Sequence, residues 1–233
     1  RRHARAFGQD GQVGDRGRDW FLDGIDGLLY GDSPQEGYVR GQTFLHGTLG
    51  IRFDVPEGFV IDNKVEAVLA TGPGDVAIRF DGVADPKQTS LGNYLTSGWV
   101  AGLLPETVRE TQINGLEAAT ARASADKWDF DVTVIRVGDQ IFRFLTAVPK
   151  GNTQLDSIAN TLRTSFRKMT PQEIASLKPL RVRVVTVKPG ETVATMAARM
   201  MGTERKLDMF RMINAMSATA TLQPGQRVKI ISE

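Results

Sequence analysis

Val182-Arg-Val-Val-Thr-Val-Lys-Pro-Gly-Glu-Thr-Val193, then an amphipathic segment, then Ile213-Asn-Ala-Met216 and Leu222-Gln-Pro-Gly-Gln-Arg-Val-Lys-Ile230, is the stretch from which the chain is best read. Residues 182–187 are rich in β-branched side chains and stop at Pro189-Gly190, which predicts a short strand closed by a turn. A helix follows. Val193, Met196, Ala197 and Met200 recur at i, i+3, i+4 and i+7, and Glu191 and Thr192 stand where first-turn acids and caps are favoured. Leu207, Phe210 and Ile213 keep helical spacing beyond Gly202, and Pro224-Gly225 turns the chain into a closing strand over 228–231. The expected order is strand, helix, helix, strand.

Those words, Lys188-Pro-Gly-Glu-Thr192, Asn214 and Leu222-Gln-Pro-Gly-Gln226, resemble the LysM module over about the last fifth of the chain. The resemblance implies a small βααβ domain that binds N-acetylglucosamine polymers such as peptidoglycan. Its groove would lie between the first strand–helix loop and the last helix–strand loop. The glycan-binding residues so implied are Gly190, Glu191, Thr192, Val193, Asn214, Ala215, Met216 and Leu222. Two features depart from the pattern: Met212-Ile-Asn-Ala-Met216 replaces a Leu-Asn-Gly/x-Leu run, and residues 201–206 loosen the inter-helix turn. The same turn residues are also demanded by the geometry of a small two-layer fold, whether or not sugar binds.

The whole chain has 233 residues and a hydrophobic fraction of 41%, enough for one large or two modest cores. No run approaches the roughly 18 apolar residues that span a bilayer, so no membrane span is expected. Arg1-Arg-His-Ala-Arg5 has no apolar signal core behind it, and the start reads as a cut. Cysteine is absent, which excludes disulfides, thiolate metal sites and cysteine nucleophiles. Charge is unevenly spread: from Lys178 onward there are ten Lys/Arg against four Asp/Glu, but from Gly47 to Leu177 thirteen against sixteen. The basic end carries no interleaved aromatics and no nucleic-acid motif, so a solvated face is the simpler reading and no nucleic-acid partner is expected.

Residues 1–47 read as an N-terminal tether with a short helix over 19–27, anchored by Trp20, Phe21 and Ile25. Gly8 to Gly17 reads as a glycine-punctuated loop. Asp23, Asp26 and Gly27 lack the alternating spacing of a calcium loop. From residue 48 the pattern is strands, a helix, strands and a helix. Residues 49–55 alternate and stop at Pro56-Glu-Gly58; residues 64–71 and 75–83 form a hairpin about Gly72-Pro-Gly74. Leu91, Tyr94, Leu95 and Trp99 keep helical spacing behind Thr89-Ser90, with Pro105 ending the helix. Asn114-Gly115 and Gly138-Asp139 each predict a tight hairpin, the first within 107–125 and the second joining 128–137 to 140–148. On residues 128–134, Trp128, Phe130, Val132 and Val134 share one face and Asp129, Asp131 and Thr133 the other, which reads as core against solvent. Leu155, Ile158, Ala159, Leu162 and Phe166 make a stripe to cover the sheet. The fold class is α+β, an antiparallel sheet covered by helices over 48–169, then a linker over 170–179 and the small domain over 180–233.

Thr48-Leu-Gly-Ile-Arg-Phe-Asp-Val-Pro-Glu-Gly-Phe59 and the turn Asn114-Gly-Leu-Glu-Ala-Ala119, set among strands before a terminal helix, resemble the PsbP-like fold. With Ile25-Asp-Gly27, Tyr30-Gly-Asp-Ser-Pro34 and Tyr38-Val-Arg-Gly-Gln-Thr-Phe-Leu-His46 in front, the arrangement resembles the region after the catalytic domain of bacterial periplasmic zinc peptidases of the Ste24/CAAX-endopeptidase-like family. That resemblance implies a non-catalytic accessory region in the periplasm or envelope of a Gram-negative bacterium. Its partners would be an upstream peptidase domain and peptidoglycan. The alternative is a stand-alone glycan-binding or scaffold protein of the envelope.

Chemistry within the chain is poorly provided for. H-E-x-x-H is absent, and the histidines are His3 and His46, too few for a zinc site or a zincin helix. No G-x-S-x-G elbow or phosphate-cradling glycine motif is present. Asp129 and Asp131 are the best-spaced carboxylates for glycosidase work, but simple strand alternation accounts for them. Trp99 and Trp128 could stack on a sugar, yet both sit on apolar faces. No catalytic residue, metal or cofactor is therefore expected in this chain.

Overall fold

A computed structural model of the chain describes residues 13–85 and 87–233. His3, the basic start and the Gly8 end of the expected loop lie outside the described residues. The chain forms two compact units, one made of the segments up to Asp32 and Lys178–Glu233, the other of Ser33–Leu177.

The Ser33–Leu177 unit is α+β with antiparallel sheets. Strands β1 (Tyr38–Arg40), β2 (Thr43–His46) and β3 (Ile51–Asp54) make a small sheet, joined at its edge by β11 (Arg167–Lys168). The larger sheet takes the order β4-β5-β6-β10-β9-β8-β7, from β4 (Val60–Asn63), β5 (Val68–Gly72), β6 (Val76–Ala84), β7 (Leu103–Ile113), β8 (Leu116–Ser124), β9 (Trp128–Val137) and β10 (Gln140–Pro149). Both predicted tight hairpins are present. Asn114 and Gly115 adopt φ 49° and 78°, the left-handed pair that a two-residue loop needs to match strand twist, and Gln140 lies opposite Val137 across the second.

Phe44 and Phe53 from the small sheet meet Phe80, Phe142 and Phe144 from the large one and Phe166 after helix α3 (Leu155–Ser165), all nearly water-free. Ring centroids 4.6–6.3 Å apart, in tilted and edge-on pairs with Phe80 stacked on Phe142, fill this core. On the opposite face α2 (Leu91–Tyr94) and the π-helical turn Leu95–Trp99 bury Leu91 and Leu95 over Ala119, Ala121, Val132, Val134 and Ile141.

Several expectations are corrected here. Residues 38–46, read as tether, are two strands of the small sheet. The expected strand over 64–71 starts later: residues 64–67 turn after β4 ends at Asn63, and β5 begins at Val68. Pro105 does not end a helix but sits within β7, where the register shifts between Leu104 and Arg109; Thr107 Oγ1 accepts the Arg122 N–H (2.8 Å) and replaces the missing ladder partner. The Asp129/Asp131/Thr133 face of β9 is not solvent-facing, because α3 lies across it and Asp131 and Thr133 are both buried. Residues 170–179, read as linker, contain α4 (Pro171–Ser176), whose capping box pairs Thr170 with Glu173.

The other unit is built on β12 (Arg181–Thr186) and β13 (Arg227–Ser232), an antiparallel pair, with α5 (Val193–Ala198) and α6 (Lys206–Ile213) between them in sequence. Met196, Met200, Phe210, Val228 and Ile230 form its core. Residues 27–30 line the outer edge of β12: Val182 donates to Leu28, while Gly27 and Tyr30 donate to Val182 and Leu180 (2.8–2.9 Å). Helix α1 (Val13–Ile25) belongs to this unit. Because side chains alternate along a strand, Arg227 and Lys229 point away from Val228 and Ile230, and it is there that α1 docks. Arg227 bridges Asp19 (3.2 Å) and Asp23, Phe21 lies 5.8 Å from the Lys229 ammonium, and Asp26 accepts from Val184 N–H (2.8 Å). The anchor is Leu22, at 2% exposure, in place of the expected Trp20 and Phe21, which are 80% and 51% exposed; Ile25 is half-buried.

Candidate functional site

Two Pro-Gly turns lie side by side in the smaller unit. Gly190 and Gly225 take φ 85° and 86°, the left-handed conformation that glycine adopts without strain. Gly225 N–H donates to Val187 C=O (2.8 Å) and Val187 N–H to Gln226 C=O (2.9 Å), so the loop after β12 and the loop before β13 are joined at their bases. Glu191 Oε2 accepts from Lys188 N–H (2.7 Å) and Oε1 faces Arg199 at 3.5 Å, fixing the first loop. Thr192 and Thr195 exchange capping hydrogen bonds (2.8 and 3.2 Å), which starts α5 at Val193.

Between the loops lies a cleft of about 330 Å³ lined by Glu191, Thr192, Val193 and Ala194 on one wall, Leu207 and Arg211 of α6 on its floor, and Ala220, Thr221 and Leu222 on the other wall. Of the residues expected at a glycan site, the cleft brings together Glu191, Thr192, Val193 and Leu222. Gly190, Asn214, Ala215 and Met216 do not line it. Asn214 is occupied inside the fold: Nδ2 donates to Phe210 C=O (2.9 Å) and Lys229 C=O (2.8 Å), and Oδ1 accepts from Lys229 N–H (2.7 Å). Its amide acts as a strand partner for β13 and as the stop of α6. Ala215 follows in a left-handed conformation (φ 52°), and Met216 packs half-buried against the core.

Sequence reading missed Leu207, Arg211, Ala220 and Thr221. Leu207 shares the helical spacing of Phe210 and Ile213, yet it is 39% exposed and faces the cleft. The i, i+4 spacing of Leu207 and Arg211 was the available signal, since such pairs share one helical face. Arg211 Nη2 donates to Ala218 C=O (3.0 Å), and Met216 N–H donates to Arg211 C=O (2.9 Å), so this residue also shapes the wall.

The larger unit carries no comparable arrangement at its candidate catalytic residues. Asp131 is 2% exposed and held by Arg163 Nη2 and Thr133 Oγ1 (3.0 Å), with Arg122 at 3.6 Å. Asp129 accepts from Ser124 Oγ (2.9 Å). The two carboxylates are thus committed to separate structural bonds. Trp99 has the Arg143 guanidinium 4.5 Å over one ring face and Tyr94 beside it, and Trp128 is half-buried. His46 is buried; its Nδ1 accepts from Leu49 N–H (3.3 Å), and burial lowers its pKa against the raising effect of the Gln35 carbonyl. Among the described residues, no three of His, Asp and Glu come together as a metal-holding group, and no helix is long and apolar enough to cross a membrane.

No protein-family model and no curated protein sequence matches the chain. Solved structures with related shape include a protein from Bacteroides thetaiotaomicron VPI-5482 (10% identity, TM-score 0.44, covering 79% of this chain and 65% of that one). This chain therefore spans slightly less than two thirds of that protein's length. They also include the cyanobacterial PsbP of Synechocystis sp. PCC 6803 (14% identity, TM-score 0.42, 59% of this chain and 98% of that one). A third is LpqN of Mycobacterium tuberculosis, described as involved in cell envelope biogenesis (13% identity, TM-score 0.40, 52% and 83%).

Proposed function

We propose that the smaller unit is a LysM-like glycan-binding module, and that the chain is the non-catalytic accessory region of an envelope zinc-dependent peptidase. The observation that carries the glycan reading is the cleft between the two Pro-Gly loops. It has short walls of threonine and aliphatic side chains, and α1 packs on the opposite face of the β12/β13 pair, which leaves it open. Such a surface suits an N-acetylated sugar: methyl groups meet Val193, Ala194 and Leu222, while acetamide and hydroxyl groups find donors and acceptors along the loop backbones. A shallow cleft of this size gains few polar contacts, so one short oligomer should bind weakly and a polymer should be held by repeated rebinding.

The peptidase context rests on the sequence resemblance and makes the larger, PsbP-like unit a domain that packs on or regulates a catalytic domain. The periplasm is the compartment in which such a region would meet peptidoglycan. Two observations test the reading. Cosedimentation with insoluble peptidoglycan and chitin should deplete the chain from solution, and substituting Leu222→Asp in the cleft wall should abolish this. The coding sequence upstream of Arg1 should encode H-E-x-x-H. Retention of L222D equal to the parent would remove the cleft from the account, and an upstream sequence without that motif would leave the stand-alone glycan-binding reading.

A further inference from the structure

The geometry points to a carboxylate-bearing amino sugar, and not a neutral one, as the preferred occupant of the cleft, with Arg211 as the residue that reads the charge; this rests on the glycan reading above. Two ionised side chains line the cleft, Arg211 and Glu191. They do not neutralise each other's role. Glu191 is engaged by the Lys188 N–H and faces Arg199, which is not part of the lining, so its charge already has a counter-ion. Arg211 makes no ion pair among the described residues, and its Nε is screened from water without an acceptor there. Its Nη2 is spent on Ala218 C=O, which holds the guanidinium plane in place on the cleft floor. A fixed guanidinium with donors left over and no counter-ion is suited to a planar oxyanion, since charge-assisted bonds to a carboxylate are shorter and stronger than those to a neutral acetamide.

The remaining lining agrees with one carboxylate among otherwise neutral sugar groups. Thr192 and Thr221 supply hydroxyls and Val193, Ala194, Leu207, Ala220 and Leu222 apolar area. The unit as a whole is net basic, with fifteen Lys/Arg against ten Asp/Glu over residues 1–32 and 178–233, which adds a favourable long-range field. A carboxylate of this kind occurs on an N-acetylated sugar as the lactyl ether group of N-acetylmuramic acid, or at the end of a short peptide attached through it.

The test is titration of the full chain with four glycans of equal length. These are a neutral N-acetylglucosamine oligomer, an oligomer alternating with N-acetylmuramic acid whose lactyl carboxylates are free, the same oligomer closed as simple amides, and the same closed by a dipeptide ending in a free carboxylate. The free lactyl form should bind about tenfold more tightly than its amide, and the margin should shrink in high salt as screening rises. Tight binding by the dipeptide form alone would place the read carboxylate on the peptide. Arg211→Met should erase the preference, so that the free and amide forms bind alike whatever its effect on overall affinity, and Arg211→Lys should keep part of it. If the neutral, amide and free forms bind equally, or if R211M retains the preference, the inference is overturned and the glycan reading stands. Binding of none of the four removes both.

Discussion

Asn214→Ala separates a structural role from a ligand role, because the side chain makes three internal hydrogen bonds that a sugar contact would have to compete for. Truncation leaves the N–H and C=O of Lys229 without their partner at the free edge of β13 and removes the amide bond to Phe210 C=O at the end of α6. Each neutral hydrogen bond contributes about 1 kcal/mol net, and an orphaned, partly buried backbone group costs about 1–3 kcal/mol. Half-burial lets water recover some of this, so the expected loss is about 2–4 kcal/mol for the smaller unit. Hydrogen exchange of the full chain reads it locally: the Lys229 and Ile231 amides should lose protection by that amount, while amides of β9 and β10 should keep theirs. Unchanged protection at Lys229, or a loss of sugar affinity with no loss of stability, would refute the assignment of Asn214 to the fold.

Three further outcomes follow from buried groups of the larger unit. Thr146 faces the phenylalanine core with its hydroxyl buried and unpartnered, so Thr146→Val should raise stability in a denaturant melt by about 1 kcal/mol; a loss of that size would show that the hydroxyl has a role in the core. Asp131→Ala should cost about 3 kcal/mol by the same measurement, because Arg163 and, in part, Arg122 lose the carboxylate that compensates them beneath α3, and a change under about 0.5 kcal/mol would contradict this. For His46 the folded pKa is lowered below 6.5 by burial, so the unfolded chain takes up the proton first. Its contribution to stability is therefore whole above pH 6.5 and falls as pH drops toward the folded pKa. Unfolding free energies at pH 7.5 and 5.5 should differ less in His46→Gln than in the parent; an equal difference would mean that other groups carry the dependence.

Much of this architecture was legible in the sequence wherever local chemistry leaves no alternative. Asn114-Gly115 specifies a hairpin because few residues tolerate two positive φ angles, and the Ile158, Ala159, Leu162 stripe needed only a sheet to cover. Thr192 and the two Pro-Gly turns likewise act within a few residues of themselves. What escaped depends on partners far away in the chain. Asp131 and Thr133 look like a solvent face until Arg163 arrives from α3 to neutralise the one and bond the other. Residues 13–32 look like a tether because the surface that receives them, Arg227 and Lys229 with Val184, lies 158 to 208 residues on. The structural part of Asn214 is hidden for the same reason: an Asn at a helix end satisfies local capping rules, and nothing nearby in sequence reveals that its amide also serves as a strand edge for Lys229. The place of Arg211 depends on Ala218, a loop partner that no motif marks.

The central claim is that the cleft between the Lys188-Pro-Gly190 and Gln223-Pro-Gly225 turns receives amino sugars, and amide chemical-shift mapping of the isotopically labelled full chain tests it most directly. Titration with a short N-acetylglucosamine oligomer should move the resonances of Glu191, Thr192, Val193, Ala194, Thr221 and Leu222, with a dissociation constant on the order of 0.1–1 mM. Resonances of β9 and β10 should stay fixed. No movement at these cleft amides with several millimolar ligand would contradict the account.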